Sequence, residues 1–177
     1  MKKPGVIVAA LIVVAVALGV LFTVFRGSHT GSPARSATDH LAVTIGDKNF
    51  TLVDGVAEKE IAPGSKETLR VVGEPATGDV SGDGRPDTAL LLADDPGGSG
   101  TFYYAVLAID DGGSWRATNA LPLGDRIKPE AIRYSDGQFV YRFLERKPDE
   151  PMAATPTVEN VVPVRLDPAT GRISAWG

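Results

Sequence analysis

The sequence predicts a mostly-β domain, a single antiparallel β-sandwich or barrel-like body, standing after an N-terminal transmembrane helix. Three observations carry this prediction. Short apolar or alternating runs recur between clusters of Gly, Pro, Asp and Ser. The segment Thr101–Ile109 is almost continuously apolar and aromatic, as a central strand buried on both faces must be. Residues Gly5–Phe25 form an unbroken apolar run with Thr23 as the only hydroxyl.

As a helix rising about 1.5 Å per residue, Gly5–Phe25 would cross a hydrocarbon core about 30 Å thick. Lys2 and Lys3 precede it and favour a cytoplasmic N-terminus. The expected address is the inner (cytoplasmic) membrane, single-pass, with the C-terminal body exported. Arg26 and Arg35 on the far side work against that charge bias. The rival reading is a cleaved signal peptide, whose apolar region runs about 7–15 residues and ends at a small-x-small site. This run is longer, and Ala15-Val16-Ala17 lies inside it without a polar break. The domains expected are thus 1–26 as anchor (or signal peptide), 27–39 as a Gly/Ser/Pro-rich flexible tether, and 40–177 as the exported β-domain.

Charge and composition exclude several classes. Residues 1–39 hold four of the 18 Lys and Arg and one of the 22 Asp and Glu. That leaves 14 against 21, a net of −7, for residues 40–177. Such an acidic body argues against nucleic acid and anionic lipid surfaces as main partners. The chain has no cysteine, hence neither disulfides nor thiolate metal sites. Both histidines, His29 and His40, fall in or beside the tether, so triad hydrolysis and His-ligated zinc have no residue to use in the domain.

Within the domain, Leu41–Ile45 and Asn49–Val53 read as strands around Gly46-Asp47-Lys48. Val56–Ile61 reads as one helical turn, and Leu69–Gly73 as a further strand. Thr88–Ala93 and Thr101–Ile109 follow. Arg126–Tyr134 and Gln138–Leu144 flank Ser135-Asp136-Gly137, whose Asp-Gly pair signals a hairpin. Thr157–Leu166 and Arg172–Ala175 close the chain.

The most distinctive stretch is Asp79-Val80-Ser81-Gly82-Asp83-Gly84-Arg85-Pro86-Asp87. Oxygen side chains stand at loop positions 1, 3, 5 and 9 (Asp79, Ser81, Asp83, Asp87), with Gly at position 6 and the Arg85 carbonyl at position 7. That is the spacing with which a chain wraps Ca²⁺, a hard ion taking about six to eight oxygens. Ser81 is a weaker ligand than Asp, and Leu90 stands where an EF-hand has its bidentate Glu. The site expected is therefore a weak Ca²⁺ loop, against the alternative of an Asp/Gly-rich turn without an ion.

This loop, Gly97-Gly98-Ser99-Gly100-Thr101-Phe102-Tyr103-Tyr104, Leu123-Gly124-Asp125-Arg126 and the segment Pro151–Thr157 occur in that order. Together they resemble a family of uncharacterised bacterial exported proteins and lipoproteins. The resemblance covers about residues 76–166 and implies a surface or periplasmic β-domain without a nameable activity. Many members look lipid-anchored through an N-terminal Cys, where this chain has an apolar segment. The loop alone is similar to the calcium loops of FG-GAP propeller blades and dockerins, but a single copy fits neither architecture.

Other constellations are less specific. Gly97–Gly100 lacks the Lys of a phosphate loop and precedes a strand, so it reads as a tight connection. Asp94 and Asp95 read as a solvated strand end. Arg126, Lys128, Arg133, Arg142, Arg146 and Lys147 form either a patch for anionic polymers or a polar face paired with carboxylates. The expected role is a membrane-tethered extracytoplasmic binding or structural domain, partnered by an envelope protein or polymer. Two alternatives stand beside it. One is an envelope hydrolase using paired carboxylates, for which Asp125, Glu130 and Glu145 are available although no spacing selects a pair. The other is an inhibitor or accessory subunit of an envelope enzyme.

Overall fold

The structure, a computed structural model, describes residues 36–176. The apolar run Gly5–Phe25 and most of the expected tether lie outside the described residues. Among those described, no helix is long and apolar enough to cross a membrane. The fold is mostly β and its sheets are antiparallel.

Thirteen strands make two sheets among the described residues. The larger takes β1 (His40–Ile45), β2 (Lys48–Val53), β3 (Val56–Ala62), β4 (Ser65–Val71), β6 (Asp87–Asp95), β7 (Phe102–Asp110) and β8 (Trp115–Ala117) in that spatial order. The short β5 (Ala76–Gly78) pairs with β6, and β9 (Leu121–Asp125) pairs with β7. This sheet curls until β1 lies beside β8. The second sheet is a meander of β10 (Lys128–Ser135), β11 (Gln138–Glu145), β12 (Val158–Asp167) and β13 (Arg172–Ala175).

Turn chemistry explains the meanders. Asp136 and Gly137 both have positive φ (53° and 73°), the twist of a two-residue turn that matches paired strands, and they join Ser135 to its partner Gln138. Asp54-Gly55 (51° and 80°) repeats the device between β2 and β3. That second turn corrects the expected helical turn at Val56–Ile61. Ala57-Glu58-Lys59-Glu60 favours a helix in isolation, but the turn delivers it to β4, where Glu58 opposes Thr68 and Lys59 opposes Glu67. Lys66 Nζ meets Glu58 Oε2 at 2.6 Å across the pair. Pairing overrides propensity here. Within the segment expected as tether, the described residues Ser36–Asp39 form a turn and Ala37 is buried in the core.

The hairpin β6–β7 belongs to two cores at once. Leu90, Leu92, Val106 and Ala108 face the inside of the curled sheet, with Leu41, Val43, Phe50, Leu52 and Leu69. Ala89, Leu91, Ala105, Leu107 and Ile109 face the second sheet and its Phe139, Tyr141, Val164 and Ile173. The two-sided burial expected of Thr101–Ile109 forms over Ala105–Ile109, while Phe102 is exposed and the half-buried Tyr103 and Tyr104 go to opposite faces. Tyr141 is the one large polar side chain in the outer core cluster. Its hydroxyl donates to the Leu90 carbonyl at 3.1 Å, and burial pushes its pKa far up, so it stays a neutral donor. Tyr141→Phe deletes that bond at constant shape. It is expected to cost about 0.5–1.5 kcal/mol in urea denaturation of the full-length chain, with an unchanged m-value.

Candidate functional site: an acidic loop and a buried acid pair

The Asp loop connects β5 to β6, and backbone N–H groups gather its carboxylates. Asp79 Oδ1 accepts from Gly82 (2.7 Å) and Asp83 (3.1 Å), and Oδ2 accepts from Gly84 (2.9 Å). Partial burial works to raise the Asp79 pKa, yet the N–H groups of Gly84, Gly82 and Asp83 together outweigh it and hold the carboxyl below its usual range. Gly82 and Gly84 have φ of 77° and 84°, a conformation that lets successive N–H groups converge on one anion.

Asp87, with no exposed surface, works at the other end of the loop. Its Oδ2 accepts from Val80 and Ser81 at 3.0 and 2.9 Å, and its Oδ1 accepts from Asp110, the last residue of β7, at 3.0 Å. One carboxylate thus joins the loop, the start of β6 and the end of β7. The Tyr134 hydroxyl, from β10, donates to the Asp79 carbonyl. Its ring lies over Gly78, where an added Cβ would come within 2.2 Å of the ring carbon Cγ. Only glycine fits there.

Asp83 and Ser81 remain on the outer side of the loop. The Asp83 carboxylate takes the Arg85 N–H at 2.8 Å and pairs with the Arg85 guanidinium, which also donates twice to the Asp110 carbonyl, at 3.0 and 2.9 Å. Arg85 therefore presents its side chain as an internal cation among the acids, beyond the carbonyl expected of position 7. The donor set as it stands fits N–H groups and Arg85 better than an ion. Among the described residues no three His, Cys, Asp or Glu side chains converge as a metal cluster.

A second acidic cluster lies at the open end of the curled sheet. Lys48 (β2), Glu67 (β4), Asp94 (β6) and Tyr104 (β7) sit on its inner face. Asp94 stands in register with Leu69 and Phe102, and Tyr104 with Leu92. Lys48 Nζ meets Glu67 Oε1 at 2.6 Å, and that hydrogen bond raises the Lys48 pKa. Glu67 is 1% exposed and Asp94 6%, so the solvated strand end expected at Asp94 is instead a buried acid. Glu67 Oε2 and Asp94 Oδ1 have no protein hydrogen-bond partner. Burial, then the charge of Glu67, pushes the Asp94 pKa up, partly countered by Lys48. Nothing local in the sequence signals this pair, since Glu67 and Asp94 are far apart in the chain and become neighbours only through β4–β6 pairing.

Among the carboxylates considered for hydrolysis, Asp125 and Glu145 line one shallow cleft of about 260 Å³ with Arg146, while Glu130 borders a different one. The Arg126 side chain hydrogen-bonds Asp125 and lowers its pKa, the opposite of what a general acid requires. Asp125 also accepts the Thr101 N–H at 3.1 Å, and the Arg126 N–H returns to the Thr101 carbonyl at 2.7 Å. The segments Gly97–Tyr104 and Leu123–Arg126 are thus one structural unit. Gly97 has φ of 80° and a Cβ there would come within 3.0 Å of the Lys66 carbonyl, as a tight connection demands. The basic residues mostly find acids or carbonyls. Arg142 pairs with Glu159, Lys147 with Glu150, and Arg146 donates to the Asp125 and Arg126 carbonyls.

Compared with known proteins, the chain matches no family model, no curated protein and no solved structure.

The acid pair predicts a pH dependence. A carboxyl whose pKa is higher folded than unfolded supports the fold fully below its unfolded pKa, about 3.9 for Asp, and loses that support as pH rises through the folded value. Asp94 feels the charges of Glu67, Lys48 and Asp95, and burial first and then Glu67 raise its folded pKa. Asp94→Asn should therefore melt higher than wild type at pH 7, with the difference closing as pH falls below 4. A pH series of thermal melts on the full-length chain checks this; an Asn variant less stable at pH 7 would contradict it.

Proposed function

We propose that the protein is a membrane-tethered extracytoplasmic binding or structural domain whose Asp79–Asp87 loop is a mechanical brace. The membrane part rests on the apolar Gly5–Phe25 and the two lysines before it. The brace rests on one observation. Each loop carboxylate is already engaged, Asp79 and Asp87 by backbone N–H groups and Asp83 by Arg85. Groups so engaged hold a shape; they are not poised to exchange protons with a substrate. On this reading the curled sheet and its cover form a barrel-like head that presents a surface to an envelope protein or polymer.

The tether is tested by fractionation. The full-length protein should remain with the membrane after a high-salt wash, and a reporter fused after Gly177 should be active only outside the cytoplasm. Recovery of a soluble species beginning beyond Phe25 would mean a cleaved signal, and a cytoplasmic reporter would reverse the topology.

A second reading places Ca²⁺ in the loop. It is favoured by Asp83, whose carboxylate is engaged by Arg85 alone and faces outward. An ion entering there has to displace the guanidinium, so Ca²⁺ and Arg85 compete. For a Kd on the order of 10⁻⁴–10⁻³ M, millimolar Ca²⁺ would stabilise the chain by about 0.4–1.4 kcal/mol. Arg85→Ala should lose about 1 kcal/mol without the ion and gain more from Ca²⁺ than wild type does, while Asp83→Ala should gain nothing. Melting temperatures unmoved by Ca²⁺ in wild type and Arg85→Ala alike would leave the brace without an ion.

A further inference from the structure

The open end of the curled sheet carries a cleft that the Asp79–Asp87 loop does not share. An open cleft of about 300 Å³ is lined by Ile45, Asp47, Lys48, Asp94, Phe102 and Tyr104. Asp94 reaches its lining, and Glu67 lies buried behind Lys48. Four carboxylates, Asp47, Glu67, Asp94 and Asp95, act electrostatically on this corner, against the single ammonium of Lys48. That ammonium occupies Glu67 Oε1 and leaves Glu67 Oε2 and Asp94 Oδ1 without a protein donor, although both side chains are more than nine-tenths buried. A buried acceptor without a donor is costly, so the Asp94 carboxylate, which belongs to the cleft lining, marks where a positively charged donor would be held.

The walls narrow the chemistry. Phe102 is 40% exposed directly across from Asp94, and Tyr104 stands beside it, so two aromatic rings border the acids. Aromatic faces next to carboxylates suit an organic cation, which gains from both the charge and the ring. A bare divalent ion would want three or more oxygen or nitrogen side chains, and no such cluster occurs among the described residues.

We propose that this cleft binds an alkylammonium group, its N–H donors directed to the Asp94 carboxylate and its carbon chain lying along Phe102 and Tyr104. The group can belong to a small free amine or to the lysine side chain of a peptide; the chemistry of recognition is the same.

The test is titration calorimetry on the full-length chain in mild detergent at constant ionic strength. Two probes are used, 1,5-diaminopentane and the blocked peptide acetyl-Gly-Lys-Gly-amide, with tetramethylammonium as a cation lacking N–H donors. Saturable binding of at least one amine probe is expected, with tetramethylammonium at least about tenfold weaker because hydrogen bonds to charged groups are lost. Asp94→Asn, of equal shape, should weaken binding about tenfold or more. Phe102→Ala, at an exposed position that the fold tolerates, should weaken it about two- to fivefold. Tighter binding of the peptide assigns the site to a protein partner, and tighter binding of the diamine to a small molecule. Absence of saturable heat with both amines, or equal affinity in wild type and Asp94→Asn, overturns the proposal.

Discussion

Asp87 carries a carboxylate into a place closed to water, and three backbone N–H groups meet it there. Few side chains could stand in for it. An amide would offer only one acceptor oxygen, and a hydrophobic residue would strand three donors. The consequences spread outward along the chain. Since Val80 and Ser81 are fixed by Asp87, Asp79 is placed to draw in Gly82, Asp83 and Gly84, and its carbonyl is placed to receive Tyr134 from the second sheet. Since Asp110 is fixed by the same carboxylate, the ends of β6 and β7 farthest from their connection are held in register. The loop organises the seam between two sheets.

The acid pair at the opposite end of β6 follows the reverse logic. Asp87 is buried and satisfied, whereas Asp94 is buried with one oxygen unpaired beside another acid. Packing alone would favour a neutral residue at that position. Proteins keep such groups where the cost is repaid by something the fold does, and perturbed carboxyls concentrate at working sites for that reason. The structural brace and the strained acid share one strand, seven residues apart in the sequence.

Much of the architecture was legible in the sequence because its signals are local. Alternation, the apolar run of β7 and the Asp136-Gly137 turn give strands close to those observed. The same dipeptide at Asp54-Gly55 was as strong a signal, but the helix-favouring Ala57–Glu60 beside it masked the strand that follows. Strands β5, β8 and β9 have three to five residues each, too few for periodicity to show, and depend on the β6–β7 pair for partners. The acidic loop was visible as a spacing of oxygens, but spacing does not tell which donors those oxygens meet. Loop spacing marks Arg85 for its carbonyl, whereas its side chain bridges Asp83 and the Asp110 carbonyl. Glu67 and Asp94 were beyond reach, since burial and cross-strand adjacency are tertiary facts.

Two-sided burial of the β6–β7 hairpin also sets an order of assembly. Most of the strands that line its inner face precede it in the chain, whereas the large buried side chains that cover its outer face, Phe139, Tyr141, Val164 and Ile173, all come later. While the chain is made from its N-terminus, the inner core can close once β8 and Ala120 have followed the hairpin. Ala89, Leu91, Ala105, Leu107 and Ile109 then wait, bare, until the last quarter of the sequence arrives. A chain cut short before β11 would expose a flat apolar ladder two strands wide, the kind of surface on which copies of one protein stick to each other. The C-terminal meander is, in that sense, this protein's own chaperone.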